Sequence, residues 1–312
     1  MTYQQKLVTL LKITGKTQTE LAQQLQVSFV TFNSWINSKS TPRKNALEKI
    51  DLLYQDYTGV TEVTDSELST KKQEIAAYKK QFPNPLQYML QRQDIYEAFV
   101  LELTYHTNSI EGSTFTEPQV RAVIFDGVTI PDKTVVEHQE AKNHQAALGN
   151  IMQWLTKHQQ SKQITEEWIK KLHSILMNGI RADAGSYRRH GVRIVGSNVP
   201  TTNYLRVNDR MQEFVRSVQT KSDEDTIKYM ARVHAQFEKI HPFSDGNGRV
   251  GRLLMHVQAL QHGLPPVLIK QEKKQAYYTY LQKAQLEKKY IFLESFIYDA
   301  LLESYVLLKT TS

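Results

Sequence analysis

The stretch HPFSDGNGRVGR, from His241 to Arg252, carries more chemically active side chains than any other part of this chain. Apolar residues recur at helical spacing from Met230 to Ile240, and Pro242 then forces the chain out of that helix. The glycines that follow can adopt positive φ, and a second apolar-periodic run, RVGRLLMHVQALQHG, predicts another helix. The pattern therefore predicts a helix, a glycine-rich loop and a second helix.

A glycine-rich loop that opens a helix presents free N–H groups and the positive end of the helix dipole, which favours an anion such as a phosphate chain. His241 is a candidate general base because its ordinary pKa lies close to neutrality, although a helix-capping role is the alternative. Asp245 could hold Mg²⁺ or serve only in a turn. Arg249 and Arg252 suit bidentate phosphate contacts, against the alternative of two solvated arginines. Together these residues favour a nucleotide-phosphate site.

This stretch resembles the motif of the Fic family, HxFxxGNGRxxR with an acidic residue after the fourth position, at every specified place. The resemblance implies a mainly α-helical Fic-type core and an enzyme that transfers AMP from ATP to a hydroxyl side chain of a target protein, or of itself, and releases pyrophosphate. It implies that His241 deprotonates the hydroxyl and that Asp245 binds Mg²⁺. It also implies phosphate contacts from Gly246, Asn247, Gly248, Arg249 and Arg252.

Three other functions stay open at this point. One is transfer of another nucleotide or of a phosphocholine group. The related Doc branch transfers phosphoryl groups and usually has Lys or Arg at the position of Gly248, so this glycine favours nucleotidyl transfer over the Doc-like alternative. A DNA-binding regulator whose Fic core only senses nucleotide is the third alternative. A zinc metalloprotease is excluded because the chain has no HExxH pattern.

The segment TNSIEG, from Thr107 to Gly112, ends a predicted helix over about residues 93–112. An acidic residue at a helix C-terminus is disfavoured by the helix dipole and so invites a cationic partner. The segment resembles the inhibitory motif of Fic proteins, (S/T)xxxE(G/N). The resemblance implies that Glu111 pairs with Arg252 and keeps the γ phosphate of ATP from its productive position. In some family members the same glutamate is implicated in removing AMP, so a second activity stays open.

The chain divides by pattern into residues 1–58, a polar linker with a charged helix at 59–85, and a larger domain at 86–312. The first part reads as four short helices. Its stretch TQTELAQQLQVSFVTFNSWINSKSTP resembles the helix-turn-helix of Cro and cI-type repressors.

That resemblance implies DNA as a partner, with the third helix in the major groove. Asn33 would read a base, while Gln18 and Lys39 would contact phosphates. A helical protein-interaction module is the alternative, because Phe29 and Val30 are apolar where a reading helix is often polar.

Two further regions are predicted from the pattern and the resemblance together. Val192, Ile194 and Val195, among glycine- and asparagine-rich turns, predict a short β-hairpin, and in Fic proteins such a flap pairs with the backbone of the target. Tyr277 is a candidate wall for the nucleotide base or, alternatively, an inward-packed residue of an amphipathic helix. The apolar C-terminal stretch FLESFIYDALLESYVLL is expected to dock against the core or against a second subunit in a homodimer.

Composition limits the kinds of site and of binding partner that this chain can have. The chain has no cysteine, which excludes disulfides, thiol nucleophiles and cysteine-based zinc sites. No apolar run approaches the roughly 18 residues of a membrane span, and the N-terminus lacks a signal-peptide pattern, so the expectation is a cytoplasmic protein without a membrane partner. The formal net charge of +7 fits nucleic acid, nucleotide or acidic protein partners without choosing among them.

Overall fold

The computed structural model describes residues 1–59, 62–157, 163–194, 198–220 and 223–309, and within them the chain is mainly α-helical. The N-terminal part contains the four helices expected there. The side chains of Thr2, Thr17 and Ser28 each accept a hydrogen bond from the first turn of a helix, which satisfies donors that the helix itself leaves free. The four helices are α1 (Tyr3–Thr14), α2 (Gln18–Gln24), α3 (Phe29–Ile36) and α4 (Lys44–Thr58).

The predicted charged helix follows as α5 (Asp65–Gln81), with α6 (Pro85–Gln91) after it. A capping box between Thr64 and Glu67 starts α5. Although most of its surface is polar, Leu68 and Ile75 are buried and belong to the core of the larger C-terminal part. The segment predicted as a linker therefore contributes a packed helix, which lies against the last helix of the chain.

The remaining helices surround the motif. In chain order they are α7 (Gln93–Glu111), α8 (Glu117–Ile124), α9 (Val135–Lys157), α10 (Glu166–Leu176), α11 (Val207–Gln219), α12 (Thr226–Ile240), α13 (Asn247–Gln261), α14 (Lys274–Glu287) and α15 (Ile291–Lys309), with short 3₁₀ helices at Tyr204–Arg206 and Gln271–Lys273. Helix α13 is buried along nearly its whole length, so it forms the central element against which α7, α9, α10 and α12 pack. The apolar C-terminal stretch, α15, docks against the core through α5, α12 and α14.

Two hydrophobic cores are present among the described residues, one within residues 7–57 and one within residues 68–308. They meet where α4 lies on α14 and on the 3₁₀ helix before it. There Lys273 pairs with Asp56 and stands over the ring of Tyr57, 4.6 Å from its centroid. The Thr279 hydroxyl donates to the Thr58 carbonyl at 3.1 Å. The junction is thus a mixture of charge and hydrogen bonds rather than a continuous apolar core.

The region of the predicted β-hairpin contains no strand in its described residues, which include Val192 and Ile194, while Val195 lies outside the described ranges. No helix in the described part of the chain is both long enough and apolar enough to cross a membrane.

Candidate active site

His241 stands at the end of α12 in the left-handed conformation, with φ of 51°. This conformation is costly for a residue with a side chain, so neighbouring contacts must hold it. Arg188, only 3% exposed, supplies them. Its Nε donates to the His241 carbonyl at 2.7 Å, and its backbone N–H donates to the Pro242 carbonyl at 3.0 Å. The turn after α12 is therefore fastened by an arginine that lies 53 residues earlier in the chain.

The imidazole of His241 has a defined orientation. Nδ1 lies 3.2 Å from the carbonyl oxygen of Glu238, and because a carbonyl can only accept, Nδ1 carries the proton of the neutral ring. The lone pair is then on Nε2. Burial lowers the pKa of His241 to about 4, so the ring is neutral near pH 7. The geometry therefore fits a group that accepts a proton through Nε2.

The loop between α12 and α13 is held by side-chain contacts. The Asn247 side chain accepts from the Phe243 N–H at 2.8 Å and donates to the Phe243 carbonyl at 2.9 Å. His173 donates from Nε2 to the Asp245 carbonyl at 3.0 Å, because its Nδ1 accepts from the Gly185 N–H at 2.8 Å. The amide of Asn247 is thus occupied within the loop, and only its backbone N–H is left for an anion.

The first turn of α13 has the features of an anion site. Gly246 precedes it with φ of 76°, and no side chain caps the helix. The N–H groups of the first turn have no partner within a helix. They point along the helix axis, where the dipole adds to their attraction for negative charge.

Both motif arginines are almost completely buried and are tied to carboxylates. Nη1 of Arg249 donates to Oε1 of Glu140 on α9 at 2.6 Å, and Nη2 of Arg252 donates to Oε1 of Glu111 at 2.5 Å. In addition, Nε of Arg252 donates to the Thr107 hydroxyl at 2.6 Å. Within the described residues, Arg249 Nε and Arg252 Nη1 have no hydrogen-bond partner. Buried donors of this kind are a cost unless a ligand satisfies them, and phosphate oxygens would do so.

Glu111 is the last residue of α7 and reaches over the start of α13. Burial alone would raise the pKa of Glu111, but the neighbouring charge of Arg252 and its hydrogen bond lower it below the usual value. A Cβ added at Gly248 would overlap Oε1 of Glu111 and lie 3.2 Å from Nη1 of Arg252. The missing side chain at Gly248 therefore makes room for the carboxylate on top of the helix N-terminus.

Asp245 supplies the carboxylate of the motif, and 55% of its side chain is exposed. Its Oδ1 accepts from the Gly246 N–H at 2.6 Å and lies 3.9 Å from Arg249 Nη2. No group of three or more His, Cys, Asp or Glu side chains in the described residues could form a complete metal cage. A single accessible carboxylate fits Mg²⁺ that arrives with nucleotide phosphates, which is how this ion is commonly bound.

Tyr277 lies in the interior of the protein. It is 1% exposed, and its hydroxyl is 2.6 Å from Nε2 of His234. This is the inward-packed alternative rather than an open wall for a base. The next residue, Tyr278, is 36% exposed, and burial and then the charge of Glu111 raise the pKa of its phenol.

The candidate DNA-contacting residues lie on α2, α3 and the loop after α3. The Asn33 amide donates to Oε1 of Gln18 at 3.0 Å, so these two side chains form one polar unit across the turn between the helices. Lys39 is exposed beyond the end of α3. Phe29 and Val30 are 48% and 74% exposed on the first turn of α3.

The structure brings Glu111 and the predicted site residues of the motif together in one site, although Glu111 is 141 residues from Arg252 in the chain. The motif residues in this site are His241, Asp245, Gly246, Asn247, Gly248, Arg249 and Arg252. Sequence reasoning did not identify several supporting residues. Their contacts place Thr107 on Arg252, Glu140 on Arg249, His173 on the loop, Arg188 on the turn after α12 and Glu238 beside His241. Two of them had a signal in the sequence. Thr107 is the first residue of the TNSIEG segment, and Glu238 precedes His241 by three residues on a helix.

Comparison with known proteins gives a family match that includes the motif. Residues 163–259 match the profile of the Fic/DOC family. The chain is 33% identical over 208 residues to protein adenylyltransferase Fic of Nematostella vectensis, covering 66% of this chain and 48% of that protein. It is 32% identical over 190 residues to protein adenylyltransferase Fic of Aedes aegypti, covering 60% of this chain and 37% of that protein. The chain spans about half or less of the length of these curated relatives.

Solved structures share the fold. A Fic domain containing signaling protein from Bacteroides thetaiotaomicron superposes with a TM-score of 0.65 at 20% identity, covering 79% of this chain and 99% of that one. A Fic family protein from Desulfovibrio desulfuricans has a TM-score of 0.65 at 25% identity, covering 78% of this chain and 74% of that one. Residues 163–259 therefore match the Fic/DOC family model, the chain shares the fold of these solved structures, and proteins named adenylyltransferase Fic are among its relatives.

Proposed function

We propose that this chain is a protein adenylyltransferase that moves AMP from ATP to a hydroxyl side chain of a target protein, or of itself, and that Glu111 holds it in an inhibited state. The arrangement of the motif supports this most directly. A neutral imidazole with a free Nε2 stands beside an uncapped helix N-terminus, and two buried arginines there have unsatisfied donors. The curated relatives that carry this activity by name add to the argument.

In this mechanism the hydroxyl oxygen attacks the α phosphorus in line with the departing pyrophosphate, and Nε2 of His241 takes the hydroxyl proton. The backbone N–H groups at the start of α13 and the guanidinium groups of Arg249 and Arg252 would hold the phosphates and neutralise the charge that develops on them. Asp245 is the residue that would bind Mg²⁺, and the ion would supply further charge neutralisation at the phosphates.

The inhibited state arises because Glu111 and the γ phosphate of ATP compete for the same guanidinium group, that of Arg252. Glu111 already occupies Nη2 of Arg252, so a γ phosphate must displace a carboxylate at 2.5 Å before it can use that donor. Glu111 also covers Gly248, which lies in the first turn of α13. A glutamate in this place could orient a water for removal of AMP as well, and that second activity stays a prediction.

Target docking is proposed for the segment after Arg188, where the sequence predicts a β-hairpin flap. The guanidinium of Arg188 donates to the carbonyls of both His190 and Thr202 as well as to that of His241. The two ends of this segment are thus fastened beside the general base. A peptide that paired with its backbone would have its hydroxyl aligned with Nε2 by the same arginine.

Intact-mass measurement tests the proposed reaction. After incubation of Glu111→Gly with ATP and Mg²⁺, we expect a protein adduct with the mass of an adenylyl group. The smaller mass of a phosphoryl group would instead indicate the Doc-like transfer, and an unmodified protein that still binds ATP would indicate the nucleotide-sensing regulator. α-Labelled and γ-labelled ATP in parallel would identify which phosphate remains on the protein.

Residues 1–58 are proposed to bind DNA through α3. The polar unit of Asn33 and Gln18 bridges α2 and α3, and this is where a helix-turn-helix would present a base reader next to a phosphate contact. The exposed Phe29 and Val30 fit the alternative of a protein-interaction surface. The homodimer expected from the apolar C-terminal stretch also stays a prediction. Much of α15 is already buried against the core of its own chain.

Replacing Asn33 with alanine is expected to weaken specific DNA binding by roughly tenfold or more, because one good base contact contributes about 1–3 kcal/mol of discrimination. Duplexes would first be selected from a random pool by the intact protein at low salt, and the affinities measured for both proteins. Asn150→Ala on α9 makes the same chemical change outside residues 1–58 and should leave affinity unaltered. Failure to retain any DNA at low salt, or equal affinities for wild type and Asn33→Ala, would contradict this role.

A further inference from the structure

Glu238 is a buried carboxyl group that the proposed mechanism does not yet use. It lies on α12 one turn before His241 and is 5% exposed. Glutamate is almost never buried to this extent unless it is paired. Yet its Oε1 has no hydrogen-bond partner among the described residues. A buried polar atom left in this state calls for a functional reason.

The space for this carboxyl comes from Gly251 on α13. A Cβ added there would overlap Oε1 of Glu238 and would lie 3.1 Å from Cε1 of His234. Gly251 is helical and has an ordinary negative φ, so backbone conformation does not require a glycine at this position. Its lack of a side chain instead allows α12 and α13 to enclose the carboxyl group between them.

The carboxyl faces the Nδ1 side of the catalytic imidazole. Oε2 of Glu238 is 3.8 Å from Nδ1 of His241, and the carbonyl oxygen of the same residue is 3.2 Å from it. Both oxygens therefore lie on the side of the ring that carries the proton in its neutral form. Nε2 is left for the substrate hydroxyl, as in other sites where a base is oriented by a third group.

We propose that Glu238 is a positioning residue for the general base, and that its carboxyl group stabilises the positive charge that His241 acquires during the reaction. The inference rests on the proposed adenylyl transfer. In that step the hydroxyl oxygen bonds to the α phosphorus, the bond from this phosphorus to pyrophosphate breaks, and the hydroxyl proton moves to Nε2. The resulting imidazolium has its Nδ1–H directed at Glu238.

The charge state of Glu238 should make the reaction depend on pH. Burial raises its pKa to about 8, Arg252 opposes this rise and Glu111 adds to it. As pH increases towards 8, a growing fraction is ionised, and a carboxylate stabilises imidazolium better than a neutral acid does. His241 is already neutral over this range, so its own titration does not contribute.

Other titratable or charged groups also influence this pair. Removing Glu111 would lower the pKa of Glu238, since the Glu111 charge raises it. The remaining titratable or charged groups near Glu238 or His241 include Arg188, Asp245, Arg252, Tyr277 and Tyr278. The ring of His234 also lies beside the Glu238 carboxyl, against the same side of Gly251.

The test uses Glu111→Gly as the parent protein and compares it with Glu111→Gly carrying Glu238→Gln. AMP incorporation would be measured from about pH 6 to about pH 9, giving kcat and the KM for ATP. In the parent we expect kcat to rise with pH, with a midpoint at or below about 8. In Glu238→Gln we expect a kcat that is independent of pH, with an unchanged KM. This kcat should equal that of the parent at about pH 6 and be about tenfold below it at about pH 9, because an opposite charge at this distance shifts a pKa by about one unit or more.

The outcomes separate this inference from the proposed function. No AMP incorporation in the parent would contradict the proposed function itself. An active parent whose kcat falls as pH rises over this range would overturn the role of Glu238, because ionisation of its carboxyl group can only favour the imidazolium. A Glu238→Gln variant with the kcat and profile of the parent would overturn it as well. Glu213→Gln, an exposed glutamate on α11, is the matched control, and thermal unfolding would show that both glutamine variants are folded.

Discussion

Glu111→Gly is expected to incorporate AMP about 10- to 100-fold faster than the wild type, because couplings of about 1–3 kcal/mol are typical when a ligand competes with an internal contact. The contact removed is the 2.5 Å bond from Arg252 Nη2 to the Glu111 carboxylate, which stands over the N-terminus of α13. Glu111 is the last residue of α7 and the next residue is already a glycine, so the substitution should disturb the helix little. Initial rates with α-labelled ATP and Mg²⁺ would measure the effect.

Two controls sharpen this experiment. Glu111→Gln keeps the shape and one acceptor oxygen but removes the charge, so we expect a smaller increase than with glycine. Glu117→Gly changes an exposed glutamate on the first turn of α8 and should leave the rate unchanged. Equal rates for wild type, Glu111→Gly and Glu117→Gly would show that Glu111 does not restrain the enzyme.

His241→Ala in the Glu111→Gly protein is expected to lower AMP incorporation by at least about 100-fold, since a positioned general base typically contributes 10²–10⁴-fold. The imidazole is neutral because burial lowers its pKa to about 4, and its Nδ1 proton is fixed by the Glu238 carbonyl. No other described histidine occupies the turn between α12 and α13. The rate would be measured under the conditions used for the parent.

His262→Ala is the matched control for this loss. His262 is exposed beyond the C-terminal end of α13, about 22 Å from the N-terminus of this helix at a rise of about 1.5 Å per residue. It should retain the activity of the parent. DNA binding, if residues 1–58 provide it, should be equal in the parent protein and in the parent carrying His241→Ala. An His241→Ala protein that still incorporated AMP at the parent rate would exclude the imidazole as the base.

The inward-packed Tyr277 shows where prediction from sequence reaches its limit. Helical spacing fits both an amphipathic helix with Tyr277 inside and a helix that offers Tyr277 to a ligand. The residues packed around Tyr277 decide between these two arrangements. In the structure, His234 contacts the Tyr277 hydroxyl in the interior. In the same way, a glutamate in a periodic helix is expected to face solvent, whereas Glu238 is enclosed because a glycine on another helix leaves room for it.

What the sequence determined by itself is mostly local. Pro242 and the glycines end one helix and begin the next, Thr and Ser residues cap the N-terminal helices, and the motif residues follow one another within twelve positions. These features depend on backbone sterics and short-range hydrogen bonds, so neighbouring residues suffice to predict them.

Apart from Glu111, the tertiary structure alone decided which distant side chains meet the motif. Arg249 and Glu140 are 109 residues apart, and Arg252 and Thr107 are 145 residues apart. No spacing rule connects such positions, because their contact depends on how α7, α9 and α13 pack. Burial in that packed interior also produces the low pKa of His241 and the high pKa of Glu238. The motif specifies the chemical groups, while packing among the helices sets their charges and their partners.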